Sequence, residues 1–278
     1  MSFKDILVHV DKSSHCRARL ELAAAMAVEH GAHLTGLGVK TVPHVPQFVM
    51  SQLGPEVAEA QRKFAADAIK VEHEMFESVA KAAGVSYEWR EAEGDLVESF
   101  CMHARYTDFV VAGQIDPRDD EMDGESGLVD HLVLDAARPV LVVPYAGTFK
   151  SAGHHVMVAW NGSREATRAV NDAIPLLKRA SKVEVVVVNP RGGRQGHGEV
   201  PGADICLHLA RHGVKAEAHA VHAEDMDAGA MLLSRAADES VDLIVMGAYG
   251  RSRLRELVLG GATRHIVRHM TIPVLMSH

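Results

Sequence analysis

Residues 247–261 read GAYGRSRLRELVLGG, with glycines spaced G-x2-G-x9-G-G directly after the apolar run at 242–247. That pattern can hold an anion. Glycine has no Cβ, so backbone N–H groups can approach a phosphate where a strand turns out of a sheet. The local charge agrees. Residues 247–269 carry Arg251, Arg253, Arg255, Arg264 and Arg268 against Glu256, a formal +4 within a chain of net charge −8. Charge-assisted hydrogen bonds to phosphate contribute roughly 1.5–3 kcal/mol each. A plainer alternative stands beside this one, in which the glycines only shape a turn and the arginines form a solvated helix face. Gly260 and Gly261 are placed inside a helix at about 254–269, where glycine lowers stability unless a ligand or close packing requires it.

Other residue patterns carry less chemistry. His208/His212 and His265/His269 have the i,i+4 spacing that can chelate a metal from one helix face. No third ligand can be placed, so solvated histidines are expected. His219 and His222 fall on opposite faces of a strand, and His154 and His155 are expected to face solvent at a strand start. The loop 190–201 (PRGGRQGHGEVP) could cover a bound nucleotide with Arg191 or Arg194 near phosphate, or be an ordinary surface loop. There is no nucleophile elbow, Walker A lysine motif or interpretable Ser/His/Asp set, so no catalytic residue is assigned.

These motifs sit on a regular alternation of elements. Strands are expected at 5–11, 33–40, 85–92, 108–113 and 139–144. Helices are expected at 14–31, 54–83, 95–105 and 126–137, with Ser13 or Ser14 capping the first and Gly31 stopping it. The pattern restarts with strands at 154–161, 182–189, 214–222, 242–247 and 272–276. Helices 163–180, 202–212, 227–240 and 254–269 separate them. Apolar strands alternating with helices imply parallel sheets covered on both faces. At about 150 residues per domain, 278 residues imply two units. The boundaries are set at 1–147 and 153–278, around the small polar linker 145–153.

The two units are copies. Residues 108–144 laid on 242–278 without gaps, an offset of 134, match at nine of 37 positions, among them Gly113/Gly247 and Leu141/Leu275. The first strands align at an offset of 150, Asp11 on Asn161 and Ser13 on Ser163.

Composition excludes several classes. A chain 47% hydrophobic and 24% charged is neither disordered nor fibrous. No apolar stretch reaches the ~18 residues of a membrane span. The N-terminus lacks the pattern of a secretory signal. The charge of −8 argues against general nucleic-acid binding. Cys16, Cys101 and Cys206 are far apart without a C-x-x-C, which fits free thiols in a cytoplasmic setting.

The strand DLIVMG, the G-x2-G-x9-G run, a helix and a final P-V-L strand resemble the universal stress protein family. Both halves fit, so the chain resembles a tandem universal stress protein. The resemblance implies two doubly wound five-stranded parallel sheets of order 3-2-1-4-5, Rossmann-like and of the adenine-nucleotide alpha-hydrolase type. It also implies ATP, with magnesium as a candidate companion, at the carboxyl ends of the first and fourth strands. Carried over, Ala159, Trp160 and Asn161 lie beside the adenosine, and Val188 beside the adenine. Met246 and Gly247 line the base and ribose side. Gly250, Gly260, Gly261 and Ala262 hold phosphates through backbone N–H groups, with Arg251 beside them. Two positions depart from the family pattern. Asn161 stands where an aspartate is usual, and Gly261 where a Ser or Thr usually follows the third glycine. The resemblance implies a regulatory, stress-response role with at most slow ATP hydrolysis, and a homodimer; a slow magnesium-dependent ATPase and an interaction protein that binds no nucleotide stand as alternatives.

The first copy has lost this motif. Asp116 stands where Gly250 does and Ser126 where Gly260 does. Residues 116–125 carry six acids and one arginine, a formal −5 that would repel a triphosphate. A degenerate structural copy is the plainest reading, with a divalent-cation or other ligand site as alternatives. The last strand of each half would be an unprotected edge. Pairing the two last strands would cover both and make an intrachain pseudo-dimer.

Overall fold

The structure, a computed structural model, describes residues 2–40, 47–118, 127–190, 200–223, 225–250 and 261–278. In the first half β1 (Asp5–His9), α1 (Cys16–His30), β2 (His33–Lys40), α2 (Gln47–Ala83), β3 (Tyr87–Glu93), α3 (Leu96–Ala104), β4 (Phe109–Gly113), α4 (Leu128–Asp135) and β5 (Val140–Val143) follow one another. In the second half come β6 (His155–Ala159), α5 (Arg164–Leu177), β7 (Lys182–Val188), α6 (Ala203–Arg211) and β8 (Glu217–Val221). They are followed by α7 (Ala228–Asp238), β9 (Leu243–Gly247), α8 (Ala262–His269) and β10 (Val274–Ser277).

The strands form one ten-stranded sheet of order β3-β2-β1-β4-β5-β10-β9-β6-β7-β8. Each half has the expected 3-2-1-4-5 order, but the two sheets are fused. The seam is β5 against β10, the one antiparallel pair among the described residues, with Val142 opposite Val274, Leu141 opposite Leu275 and Val140 opposite Met276. Leu141 and Leu275 are equivalent residues of the repeat, so each meets its own counterpart. That is the mark of a local twofold axis, as at an isologous interface. The seam removes two apolar edges at once.

Helices cover both faces. Buried residues of α1, α2, α5 and α6 form one core layer with β1 and β6 (Leu20, Phe76, Val170, Leu209). Those of α3, α4, α7 and α8 form the other (Phe100, Leu132, Leu232, Ile266). Each layer runs through both halves, so the strands are apolar on both faces.

Several local expectations change. The cap residue of α1 is His15, with no side-chain cap, while Gly31 ends the helix in the left-handed conformation at φ 62°. Ser13 instead donates to Asp11. Ser163 does cap α5, accepting from the Ala166 N–H at 3.1 Å. Gly261 is not inside a helix but is the extended cap residue before α8, so no helix interior carries it. His155 is not solvent-facing, since its Nε2 lies 3.0 Å from Glu184 Oε1. Burial opposes ionisation of Glu184, but hydrogen bonds from Lys182, Arg235 and His155 bring its pKa down to about 2.

Candidate functional site

β6 and β9 are neighbours, and the chain leaves β6 toward β7 on one side while β9 leads to β10 on the other. The carboxyl ends of these two strands diverge, and a crevice forms there. A cavity partly open to solvent occupies it.

Eight of the eleven residues named from the sequence line this cavity: Ala159, Trp160, Asn161, Val188, Met246, Gly247, Gly250 and Ala262. Gly261 is adjacent to the lining as the cap of α8. Arg251 and Gly260 lie outside the described residues, as do Arg191 and Arg194 of the loop after β7. The walls divide by chemistry. Val186, Val188, Leu232 and Met246 make an apolar side. The first turns of α5 and α8 make a polar side, and helix N-termini present unpaired N–H groups and a partial positive charge.

The structure changes the reason for two of these residues. A Cβ on Gly247 would lie 2.3 Å from the backbone nitrogen of Ala166. This glycine is therefore required by the close packing of α5 on β9, whatever the ligand. The side-chain oxygen of Asn161 accepts from the Ser163 N–H at 3.0 Å, so it fixes the turn from β6 into α5. Only the Asn161 amide group is left to face a ligand.

Four polar or aromatic lining residues were not legible in the motif: Ser163, Glu165, Tyr249 and Thr263. Thr263 brings a hydroxyl two residues beyond the position where Gly261 lacks one. It lies in the first turn of α8 with its Oγ1 3.4 Å from the Tyr249 N–H. Tyr249 sits at φ 53°, a left-handed conformation disfavoured for a bulky residue. Its hydroxyl donates to Asp130 of α4, joining the cavity wall to the first half. Glu165 is buried, with Oε1 2.5 Å from Arg164 Nε and Oε2 without a partner. Burial raises its pKa, but hydrogen bonds from Arg164, a backbone N–H and the Ser163 side chain together outweigh burial and leave the carboxylate more acidic than usual. The only sequence signal for Thr263 and Glu165 was their position in the first turn of a helix that follows the site's strands or glycines.

The equivalent crevice of the first half is filled from within. Arg19 of α1 is buried and reaches across the ends of β1 and β4. Its Nη2 lies 2.6 Å from Asp11 Oδ2 and its Nε donates to the His9 carbonyl at 2.9 Å. A Cβ on Gly113, the counterpart of Gly247, would lie 2.1 Å from Arg19 Nη1. Asp11 also accepts from the N–H and hydroxyl of Ser13. Burial pushes Asp11 toward the neutral form, but Arg19, His9 and the two Ser13 hydrogen bonds together overcome this and hold the carboxyl well below the usual range. Burial drives His9 down to about 4, so it is neutral. Asp116 is held by Arg118 and His15, while the acids at 119–126 lie outside the described residues.

The histidine pairs are present without a third ligand. The rings of His208 and His212 lie 4.7 Å apart and those of His265 and His269 4.4 Å apart. No group of three or more His, Cys, Asp or Glu converges on a metal position among the described residues. Cys16, Cys101 and Cys206 are free. Among the described residues no helix is long and apolar enough to cross a membrane.

Fold and site define a doubly wound α/β protein with a ligand cleft at the switch point of one half. The sequence model of the universal stress protein family matches residues 153–278. Universal stress protein Slr1230 of Synechocystis sp. is 50% identical over 38 residues, 14% of this chain and 13% of that protein. Universal stress protein MJ0577 of Methanocaldococcus jannaschii is 42% identical over 41 residues, 15% of this chain and 25% of that protein. The aligned stretches thus span a quarter or less of these relatives. A crystal structure of a universal stress protein from Archaeoglobus fulgidus superposes at a TM-score of 0.72, with 16% identity over 98% of this chain and 95% of that one. Its fold therefore corresponds to both halves together. Residues 153–278 are thus matched as a universal stress protein domain.

Proposed function

We propose that the second half binds an adenine nucleotide, ATP in the first instance, and that the first half is a structural partner without a nucleotide site of this kind. The observation that carries this is the convergence of eight residues carried over from the universal stress protein resemblance on one cleft at the β6–β9 switch point. The base would lie on the apolar wall of Val186, Val188, Leu232 and Met246. The phosphates would lie toward Gly250 and the first turn of α8, where N–H groups and the helix dipole favour negative charge. Magnesium, if it accompanies the nucleotide, would rest mainly on phosphate oxygens, since one lining carboxylate is present.

The site reads as a binding module. A regulatory role would follow from its occupancy. Tyr249 would carry that occupancy to the first half through Asp130. The β5–β10 edges are paired within the chain, so a homodimer would use another face. Sedimentation of the intact protein, with and without ATP, tests this point.

Calorimetry with ATP tests the main reading. Micromolar to low-millimolar affinity is expected, and none at millimolar ATP overturns it. Gly250→Asp, which copies Asp116 of the first half, should weaken binding by about 100-fold or more by placing a carboxylate beside the phosphates. Unchanged affinity would move the ligand elsewhere.

A further inference from the structure

Fusion of the halves leaves the ten-stranded sheet with two ends, β3 and β8. Among the described residues no strand pairs with the outer side of either. The two ends are guarded differently. Four of the seven residues of β3 are charged, Glu88, Arg90, Glu91 and Glu93. Charge of this kind is how exposed edges commonly resist pairing. β8 reads Glu-Ala-His-Ala-Val, with its one charge, Glu217, at the first residue. In this it is similar to β5 and β10, which carry no charge and are paired with each other. β8 thus has the composition of a covered edge, yet Ala218 and Ala220 are exposed.

The backbone gives this edge a register. In a parallel pair, alternate residues of a strand bond to the same neighbour. The Val221 carbonyl accepts from the Asn189 N–H, just beyond β7, at 2.8 Å. Glu217, His219 and Val221 therefore bond toward β7, and Ala218 and Ala220 turn their N–H and C=O groups outward. A second β8, antiparallel about a twofold axis at His219, sets Ala218 of each copy opposite Ala220 of the other. Each of these two pairs exchanges two N–H···O=C bonds, so every outward N–H of the two strands is satisfied. The side chains permit the approach. On one face only alanines meet. On the other, Glu217 meets Val221 rather than another acid, and His219 meets its own counterpart. Pairing β8 with β3 of another copy would be heterologous and open-ended, and the charges of β3 oppose it.

We propose that β8 is a homodimer edge, at which two copies join by antiparallel pairing of β8 with β8 about His219. The proposal names the face for the homodimer left open above and does not depend on the nucleotide site. A seam of five residues falls short of the roughly 1,200–2,000 Å² buried by stable interfaces. The dimer is therefore reversible and set by concentration.

Sedimentation of the intact protein, from micromolar to near-millimolar concentration, should show the mass rise from one chain to two. Over the same range, amide exchange at Ala218 and Ala220 should slow as their N–H groups become bonded. Ala220→Pro removes two of the four bonds and none within the chain, because that N–H faces outward. It should weaken association by about 10-fold or more. Thermal melting checks its folding, and the exchange measurement on the unchanged protein stands if the variant fails to fold. Cys206 is the one partly exposed thiol. In a Cys206→Ser background, His219→Cys should form an intermolecular disulfide on mild oxidation, since directly opposed residues of a non-hydrogen-bonded pair lie about 4.5 Å apart at Cα. A chain that stays monomeric throughout overturns the proposal and the homodimer together. A dimer that leaves exchange at Ala218 and Ala220 unchanged, or persists unweakened in Ala220→Pro, overturns the proposal and leaves a homodimer by another face. A dimer with slowed exchange but no disulfide overturns the axis at His219.

Discussion

The two halves share one fold and one strand order, but treat the same crevice in opposite ways. In the first, Arg19 crosses the strand ends and pairs with Asp11. In the second, the offset that aligns Asp11 with Asn161 puts Ala169 at the position of Arg19. A methyl group cannot reach where a guanidinium can, and a cleft remains. The matched glycines tell the same story. Gly113 makes room for a side chain, whereas Gly247 makes room for the backbone of α5. The same fold therefore supports a plugged unit and an open one, and a few side chains decide which.

The largest expected effect tests the plug. Arg19→Met leaves Asp11 buried without its cation and should cost about 3–5 kcal/mol in urea unfolding. Adding Asp11→Asn should recover a large part of that loss. Nucleotide affinity of the second half should not change. A loss below about 1 kcal/mol would mean that the pair does not hold the first half together.

Gly247→Ala comes next. The added methyl meets backbone, which cannot rotate away, and overpacking of this kind costs roughly 1–3 kcal/mol. The loss should appear in the protein without ligand. Destabilisation seen only with ATP present would restore the view that this glycine serves the ligand.

The pH dependence separates the halves further. Glu72 faces the Asp11 cluster, and burial together with the Asp11 charge raises it to about 7 from 4.5. The folded protein holds that proton more tightly than the unfolded chain, so stability falls as pH rises from 4.5 through about 7. His9 acts in the opposite sense. Its pKa is lowered from 6.5 to about 4, so stability falls as pH drops through that window. Glu72→Gln should therefore exceed the parent near pH 8 by about 1–2 kcal/mol and converge with it near pH 4.5. A constant difference across the range would place the effect outside this titration.

The smallest effect concerns the link between the halves. Tyr249→Phe removes the hydroxyl that donates to Asp130. An exposed hydrogen bond contributes about 1 kcal/mol or less, so stability should barely move. If the link carries occupancy across the seam, hydrogen exchange in α4 should respond to ATP in the parent and not in the variant.

Much of this was legible in the residues. Period and punctuation gave ten strands in the right order, because buried parallel strands must be apolar runs and their helices must be amphipathic. The family resemblance carried by the glycine loop gave most of the cleft lining that was named, because the switch-point strands and the loop meet at one place in this fold. The lining residues from helix first turns were hidden. Glu165 and Thr263 are ordinary helix-start residues in sequence, and only packing turns them into the cleft. Asn161 was read as a ligand contact and is first a turn residue, since a short polar side chain bonds its own backbone before anything distant.

By itself the sequence determined the repeat, the alternation of strands and helices within each half and the charge contrast of +4 against −5 between the two loop regions. These follow from local composition and spacing. Tertiary structure alone decided that Arg19 fills one crevice and that the first turns of α5 and α8 line the other. Those outcomes depend on which distant side chains meet and how much space remains between them, and no local pattern encodes that.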